Sequence, residues 1–396
     1  MKIVAFTTKL NFRNAGGSVD ETDLIFRTLQ QTGHELKAVT TFSSANDIPR
    51  FPSYKISYEQ ITSGSILGIM WQSYKLLKKY ETDADVFYVD GQVFLYGAGL
   101  YRQLGGKAPI AAFFNRELSV WAEYASTFYG TGGHHWLKKI KKDFRWIIEK
   151  YMGMPIASKI DLLAFTCPPL REVYSNFGLK TGDKSIIIGD PIDYKKIMAE
   201  HDLTETAYRQ RNKHAGPYVL FYSGRMVPGK GFDFLLKAFA NLRDKKQFHL
   251  ILGGDGPEKT HLQQLAKDLA IDSRVEFTGW LPKDQVYKIL GRTDVFIHAC
   301  WRTELSSMIL VEAMAFGVPG VLPGGGGIEW VAKNSAIYYK AADYHDMAQK
   351  IEKLSQDFEL RVSLSRQCYA RLAEDELNHE KNIAELAGRM EGLVVK

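Results

Sequence analysis

One glycine-rich loop of this sequence sets cations where a strand gives way to a helix. It is Tyr222-Ser223-Gly224-Arg225-Met226-Val227-Pro228-Gly229-Lys230-Gly231-Phe232, between a strongly apolar run and an amphipathic one. Gly224 to Lys230 has the spacing of a Walker A phosphate cradle, but Gly231 stands where that cradle needs Ser or Thr to bind magnesium. Arg225 and Lys230 can still neutralise a diphosphate directly, as paired charge-assisted donors. The plainer alternative is two solvated basic residues at a helix start. Against it, cations at that end oppose the helix dipole.

A second segment runs His298-Ala299-Cys300-Trp301-Arg302-Thr303-Glu304-Leu305-Ser306-Ser307-Met308-Ile309-Leu310-Val311-Glu312, then Ala313-Met314-Ala315-Phe316-Gly317-Val318-Pro319. Glu304 lies in a loop, and Glu312 falls inside the helix that follows. Ser306 or Ser307 is the expected N-cap. The first-turn amides of such a helix favour an anion, and each carboxylate can accept hydrogen bonds from paired hydroxyls. A ligand with phosphates in its middle and hydroxyls at both ends, such as a nucleotide sugar, meets that arrangement. Glu304 can alternatively serve as a dipole-stabilising carboxylate, and Glu312 as a surface residue. The apolar neighbours Leu310, Val311, Ala313, Met314 and Phe316 argue for burial of Glu312, and a buried carboxylate needs a partner.

Two further loops carry glycines without a specific signature. Asn11-Phe12-Arg13-Asn14-Ala15-Gly16-Gly17-Ser18 follows the first apolar run. It can bring backbone close to an anion or be a tight turn with a glycine cap, and it does not meet the dinucleotide fingerprint. Pro323-Gly324-Gly325-Gly326-Gly327-Ile328-Glu329-Trp330 again leads into a helix, and its four glycines suggest backbone packed against a ligand.

The elements that must position these loops alternate throughout, which indicates βαβ units and parallel sheets. Strands are expected at Lys2–Thr8, Glu35–Phe42, Val86–Asp90, Pro109–Asn115, Leu162–Thr166 and Ser185–Ile188. A second series follows at Tyr218–Ser223, His249–Leu252, Val275–Thr278, Val295–His298, Gly320–Leu322 and Ala336–Tyr339. Amphipathic helices are expected at Phe232–Leu242, Lys259–Leu269 and Leu310–Phe316, with an all-helical tail from Asp343. With 396 residues the chain exceeds one typical core. The polar stretch Asp202–Pro217 marks a boundary. The expected domains are residues 1–200, residues 201–372 and a C-terminal helix, 373–396, that packs back on the first.

Composition narrows the setting. Hydrophobic residues make up 45% of the chain, which excludes wholesale disorder. Cys167, Cys300 and Cys368 are odd in number and widely spaced, so neither a disulfide framework nor a thiolate zinc site is expected, and a reducing cytoplasm suits them. No secretory signal is read at Lys2–Phe6, and no apolar run reaches the length of a membrane span. The net charge of +6 fits an anionic ligand or membrane surface without selecting either.

In its motifs the sequence resembles the retaining glycosyltransferases of family four. The Ser-Gly-Arg…Gly-Lys-Gly loop, Gly253-Gly254-Asp255-Gly256-Pro257, Phe277-Thr278-Gly279-Trp280 and the Glu-x7-Glu segment ending at Glu312–Pro319 match in order and spacing. The resemblance implies an α/β chain of GT-B fold, two Rossmann-like doubly wound domains with a cleft between them. It also implies an acceptor domain first and a nucleotide-sugar donor domain second. Arg225 and Lys230 would hold the donor diphosphate and stabilise the leaving group, and Glu304 would contact the transferred sugar. Glu312 would take the ribose hydroxyls, and the amides of Leu305, Ser306 and Ser307 would assist. Gly224, Gly279, Trp280 and Leu281 fall at donor positions, with core packing the alternative for Trp280, and Gly16 and Gly17 match the N-terminal loop near the phosphates. Two departures stand out. Leu305-Ser306 replaces the family's aromatic-Gly pair, and Asn115-Arg116-Glu117 lacks the histidine many members carry. His134 and His135 are a substitute or a surface pair.

The implied reaction retains anomeric configuration through an oxocarbenium-like transition state, so negative charge growing on the departing diphosphate must be stabilised. No enzymic nucleophile is found, and front-face attack with the donor phosphate taking the proton is the expectation. No Asp-x-Asp occurs, so metal independence is expected, with no cofactor beyond a UDP- or GDP-type donor. The expected partners are that donor and a carbohydrate, lipid-linked or small-molecule acceptor, and not nucleic acid. The basic, aromatic stretch 135–150 can lie on an anionic bilayer or dock on its own domain with its lysines outward. The expected location is the cytoplasm or the inner membrane face. The rival activities are a sugar-nucleotide epimerase of the same fold and a non-catalytic binding relative.

Overall fold

Thirteen strands, all in parallel pairs, form two sheets among the described residues of this computed structural model, which are 1–10, 17–41, 53–116, 144–211, 216–300 and 307–395. The first sheet contains β1 (Lys2–Thr7), β2 (Glu35–Thr40), β3 (Lys55–Tyr58), β4 (Val86–Asp90), β5 (Ile110–Phe114), β6 (Leu162–Phe165) and β7 (Ser185–Ile187). Its order is β3-β2-β1-β4-β5-β6-β7. The second contains β8 (Tyr218–Ser223), β9 (Phe248–Gly253), β10 (Val275–Gly279), β11 (Val295–Ile297), β12 (Gly320–Pro323) and β13 (Ala336–Tyr339), ordered β10-β9-β8-β11-β12-β13. Both orders run outward in two directions from a central strand, so each sheet is doubly wound.

Helices cover both faces of such sheets, which is why the central strands are near-continuous apolar runs. All five residues of β4 and of β5 are buried. The expected strands are present with ends shifted by a residue or two. β3 was not expected: Lys55-Ile56-Ser57-Tyr58 is an edge strand without a fully buried residue, so it has no apolar run to announce it.

The chain divides into two compact units, residues 1–192 with 375–396 and residues 193–374. The last helix, His379–Val394, belongs to the first unit. Ile383, Leu386, Ala387 and Met390 recur at helical spacing and join the core of Ile3, Ala5, Phe26 and Tyr88. Burying Ile383, Leu386 and Met390 stabilises that unit by roughly 5–9 kcal/mol, taking ~1.5–3 kcal/mol per side chain as an upper range.

Candidate functional site

In the second unit the loops that leave the carboxyl ends of β8, β9 and β10 interlock through their backbones. Gly224 N–H donates to the Gly253 carbonyl at 3.1 Å, and Gly254 N–H to the Gly279 carbonyl at 2.8 Å. Met226 N–H reaches the Asp255 carbonyl at 2.9 Å. A Cβ on Gly254 would lie 1.9 Å from the Gly224 carbonyl oxygen, so only glycine permits that approach. The three motifs recognised separately in the sequence are thus one structure at the edge where open α/β sheets bind ligands.

The cation loop is braced from beneath. Tyr222 Oη donates to the Lys230 carbonyl at 2.8 Å, and Cys300 Sγ to the Gly229 carbonyl at 3.1 Å. Gly231 has φ +74, and a Cβ there would fall 1.7 Å from the Ala299 carbonyl oxygen. No side chain fits, so the Ser or Thr of a Walker A loop is sterically forbidden here. This brace sets the loop against the strand end that leads into the Glu-x7-Glu segment. Arg225 is exposed and Lys230 half-buried. Arg225 enters no ion pair among the described residues.

Glu312 lies in the helix Met308–Ala315, whose residues Leu310 to Ala315 are all buried. The residue is only 6% exposed, which excludes the surface alternative. Tyr287 Oη donates to Glu312 Oε1 at 3.2 Å, and Lys283 Nζ stands 3.3 Å from the same oxygen. The Tyr287 ring is held in turn by Phe316 and His201, with centroids 5.6 Å and 5.2 Å away. The carboxylate is therefore oriented by two donors from a neighbouring helix, as a group that receives hydroxyl donors must be. Ser307 takes the cap position with extended backbone but makes no side-chain capping hydrogen bond. Of the two expected N-cap positions the structure thus uses Ser307.

Trp280 is 57% exposed, so core packing does not account for it, and Leu281 beside it is half-buried. Gly17 opens the first helix, Gly17–Gln31, in the first unit. Gly16, Glu304, Leu305, Ser306, His134 and His135 lie outside the described residues. In the glycine run 324–327, Gly325 and Gly326 take positive φ, 94° and 70°, where the strand turns into the helix Gly326–Ala332, so the turn itself needs at least two of them.

Lys283 and Tyr287 were missed in the sequence. They stand four apart on the helix Lys283–Leu290, a spacing that puts both on one face, but nothing in that spacing names Glu312 as their target. In the first unit the Asn115 amide, where a histidine is absent, donates to Glu21 Oε2 at 2.8 Å.

Comparison with known proteins adds three findings. Residues 204–371 match the family model described as glycosyl transferases group 1. The lipopolysaccharide core biosynthesis glycosyltransferase LpsE of Rhizobium meliloti (strain 1021) is 34% identical over 149 residues, 37% of this chain and 42% of that protein. LpsD of the same strain is 31% identical over 237 residues, 56% of this chain and 66% of that protein. The chain thus spans less than two thirds of these relatives' length. The crystal structure of Anabaena Alr3699/HepE in complex with UDP and glucose superposes with TM-score 0.75 at 16% identity, over 99% of this chain and 100% of that one. At that identity the likeness establishes the fold.

Proposed function

We propose that this chain, which belongs to the glycosyl transferases group 1 family and has the GT-B fold, moves a hexosyl group from a nucleotide-diphosphate sugar to an acceptor hydroxyl. The observation that carries this reading is the interlocked carboxyl edge of the second unit. There Arg225, exposed and in no ion pair among the described residues, and the braced Lys230 stand on one loop, and the Glu312 carboxylate is held by Tyr287 and Lys283 in the helix that follows β11. Arg225, Lys230 and the amides opening the Met308–Ala315 helix stabilise charge on the leaving diphosphate. Glu312 receives the ribose hydroxyls, Glu304 the transferred sugar, and Trp280 with Leu281 the base. Gly16 and Gly17 are proposed as further donor contacts, and the first unit takes the acceptor.

Configuration is retained and no metal is needed, with the donor phosphate accepting the proton of the attacking hydroxyl. A UDP donor is favoured over GDP because the fold's counterpart in Anabaena was crystallised with UDP and glucose. A glycan or lipid-linked acceptor is suggested by relatives named for lipopolysaccharide core synthesis. The protein works in the cytoplasm. Among the described residues no helix is long and apolar enough to cross a membrane.

Mass spectrometry after incubation with a panel of UDP- and GDP-sugars tests the reading. Slow donor hydrolysis, persisting in excess chelator and lost in Arg225→Ala, is expected. Activity abolished by chelator and restored by manganese overturns metal independence, and conversion of one nucleotide sugar into another without acceptor favours an epimerase. Peripheral membrane contact through 135–150 is supported by its described end. Phe144 is 63% and Ile147 49% exposed, and Lys150 stands 4.7 Å from the Trp146 ring. Cosedimentation with anionic liposomes is expected, and its absence sinks that contact.

A further inference from the structure

A polar cluster in the first unit is made of side chains that have no donor role. It sits at the carboxyl edge of the first sheet, where the strand order reverses between β1 and β4. Doubly wound sheets open a ligand crevice at such a reversal. Thr7 ends β1 and Asp90 ends β4, and Thr7 Oγ1 donates to Asp90 Oδ2 at 3.0 Å. Thr22 Oγ1 donates to the same oxygen at 3.1 Å. Its helix neighbour Glu21 accepts from Asn115, the residue after β5. Asp190 follows β7 and acts on Glu21 through its charge.

The three acids are nearly sealed, Glu21 4%, Asp90 9% and Asp190 6% exposed. Burial, then the Asp190 charge, pushes the Glu21 carboxyl well above the usual carboxylate range. Asp90 adds to the push, while the Asn115 amide and the Arg116 guanidinium oppose it. Burial also raises Asp90, against hydrogen bonds from Thr7 and Thr22 and the charge of Arg116. Among the described residues Arg116 is a cation that acts on both, and the three acids, once ionised, carry more negative charge than one guanidinium offsets.

A second observation points outward from the acids themselves. Glu21 Oε1 and the Tyr88 hydroxyl have no hydrogen-bond partner among the described residues. Tyr88 is 1% exposed, and its hydroxyl is raised by burial and by the charges of Asp90 and Glu21, so it belongs to the same cluster. A buried oxygen without a partner is destabilising until a donor reaches it. A sugar hydroxyl would satisfy these oxygens and leave the charge. A primary ammonium, with three donors and a positive charge, satisfies both.

We propose that this switch-point cluster binds a primary ammonium group of the acceptor, as in an amino sugar, with Asp90, Asp190 and Glu21 as its counter-charges. The inference rests on the glycosyltransferase reading only for the word acceptor. On binding, Glu21 releases its proton to solvent.

Calorimetric titration of the full chain with glucosamine, glucose and N-acetylglucosamine, in two buffers of different protonation enthalpy, tests it. Glucosamine is expected to bind at least about tenfold more tightly than the two neutral sugars, with measurable proton release. Below the Glu21 pKa its affinity is expected to rise by up to about tenfold per pH unit. Glu21→Gln should abolish the proton release, and Asp90→Asn should remove the preference for the amine. Equal binding of glucose and glucosamine, no binding of glucosamine in the millimolar range, or binding without proton release overturns the proposal on wild-type protein alone, whether or not the variants fold. Donor hydrolysis in the same preparations separates the two readings. Hydrolysis without amine preference removes this site and leaves the enzyme, and the reverse removes the enzyme reading alone.

Discussion

Replacing Gly231 by alanine isolates the cause of the cation loop's shape. The residue has φ +74 and its added Cβ would stand 1.7 Å from the Ala299 carbonyl oxygen. The left-handed backbone costs an L-residue roughly 1–2 kcal/mol. Relieving the overlap requires a backbone shift, and overpacking of this kind costs about 1–3 kcal/mol. A loss near ~3 kcal/mol is expected, a fall in Tm of ~6–12 °C for a unit of this size. Gly224 in the same loop is the control. Its Cβ would meet nothing nearer than Phe232 at 4.0 Å, and Gly224→Ala should stay within about 0.5 kcal/mol of wild type. Calorimetric melting should report the difference, and donor hydrolysis should fall in Gly231→Ala because the shift that relieves the overlap also displaces Lys230. Equal stability of the two variants would refute the steric account and reopen a hydroxyl-bearing, magnesium-binding version of this loop.

Three more outcomes follow from the geometry. Glu312→Ala should raise the donor KM by about 10- to 100-fold with a smaller effect on kcat, since it removes a ground-state contact; steady-state kinetics across donor concentration checks this. Leu386→Ala, in the helix that completes the first unit, should cost ~2–5 kcal/mol in urea unfolding, while an exposed substitution on the same helix should cost almost nothing. Burial alone would raise the pKa of Glu81, but hydrogen bonds from Tyr101, the Lys107 amide and Lys78 carry it down to about 2, from an ordinary 4.5. A carboxylate depressed on folding adds stability above its unfolded pKa and loses it as pH falls through the folded one. The stability difference between wild type and Glu81→Gln should therefore be full above about pH 4.5 and shrink toward pH 2, as unfolding curves across that range would show.

The sheets were legible because parallel strands buried on both faces are written as apolar runs, as in Val86-Phe87-Tyr88-Val89. β3 was not, since an edge strand is half-exposed and needs no such run. Glu312 could be read as buried from the apolar residues around it on one helix. Its partners Lys283 and Tyr287 come from another helix, and only the packing of the two joins them. Exposure of Trp280 depends on what the β10 loop meets, which no local pattern encodes. The cluster of Glu21, Asp90 and Asp190 was the hardest to see. Each acid is ordinary in its own stretch, and the strand order alone brings them to one edge. Asp90, a carboxylate closing an otherwise apolar strand, was the single local sign.

The most direct test of the donor site is the affinity of UDP and GDP for wild type and for the Arg225→Ala, Lys230→Ala double variant, measured in excess chelator with folding verified. Two charge-assisted contacts at about 1.5–3 kcal/mol each predict that the better-bound nucleotide loses at least about 100-fold in affinity. Binding of the double variant as tight as wild type, or no binding of either nucleotide to wild type, would contradict a diphosphate held at this edge.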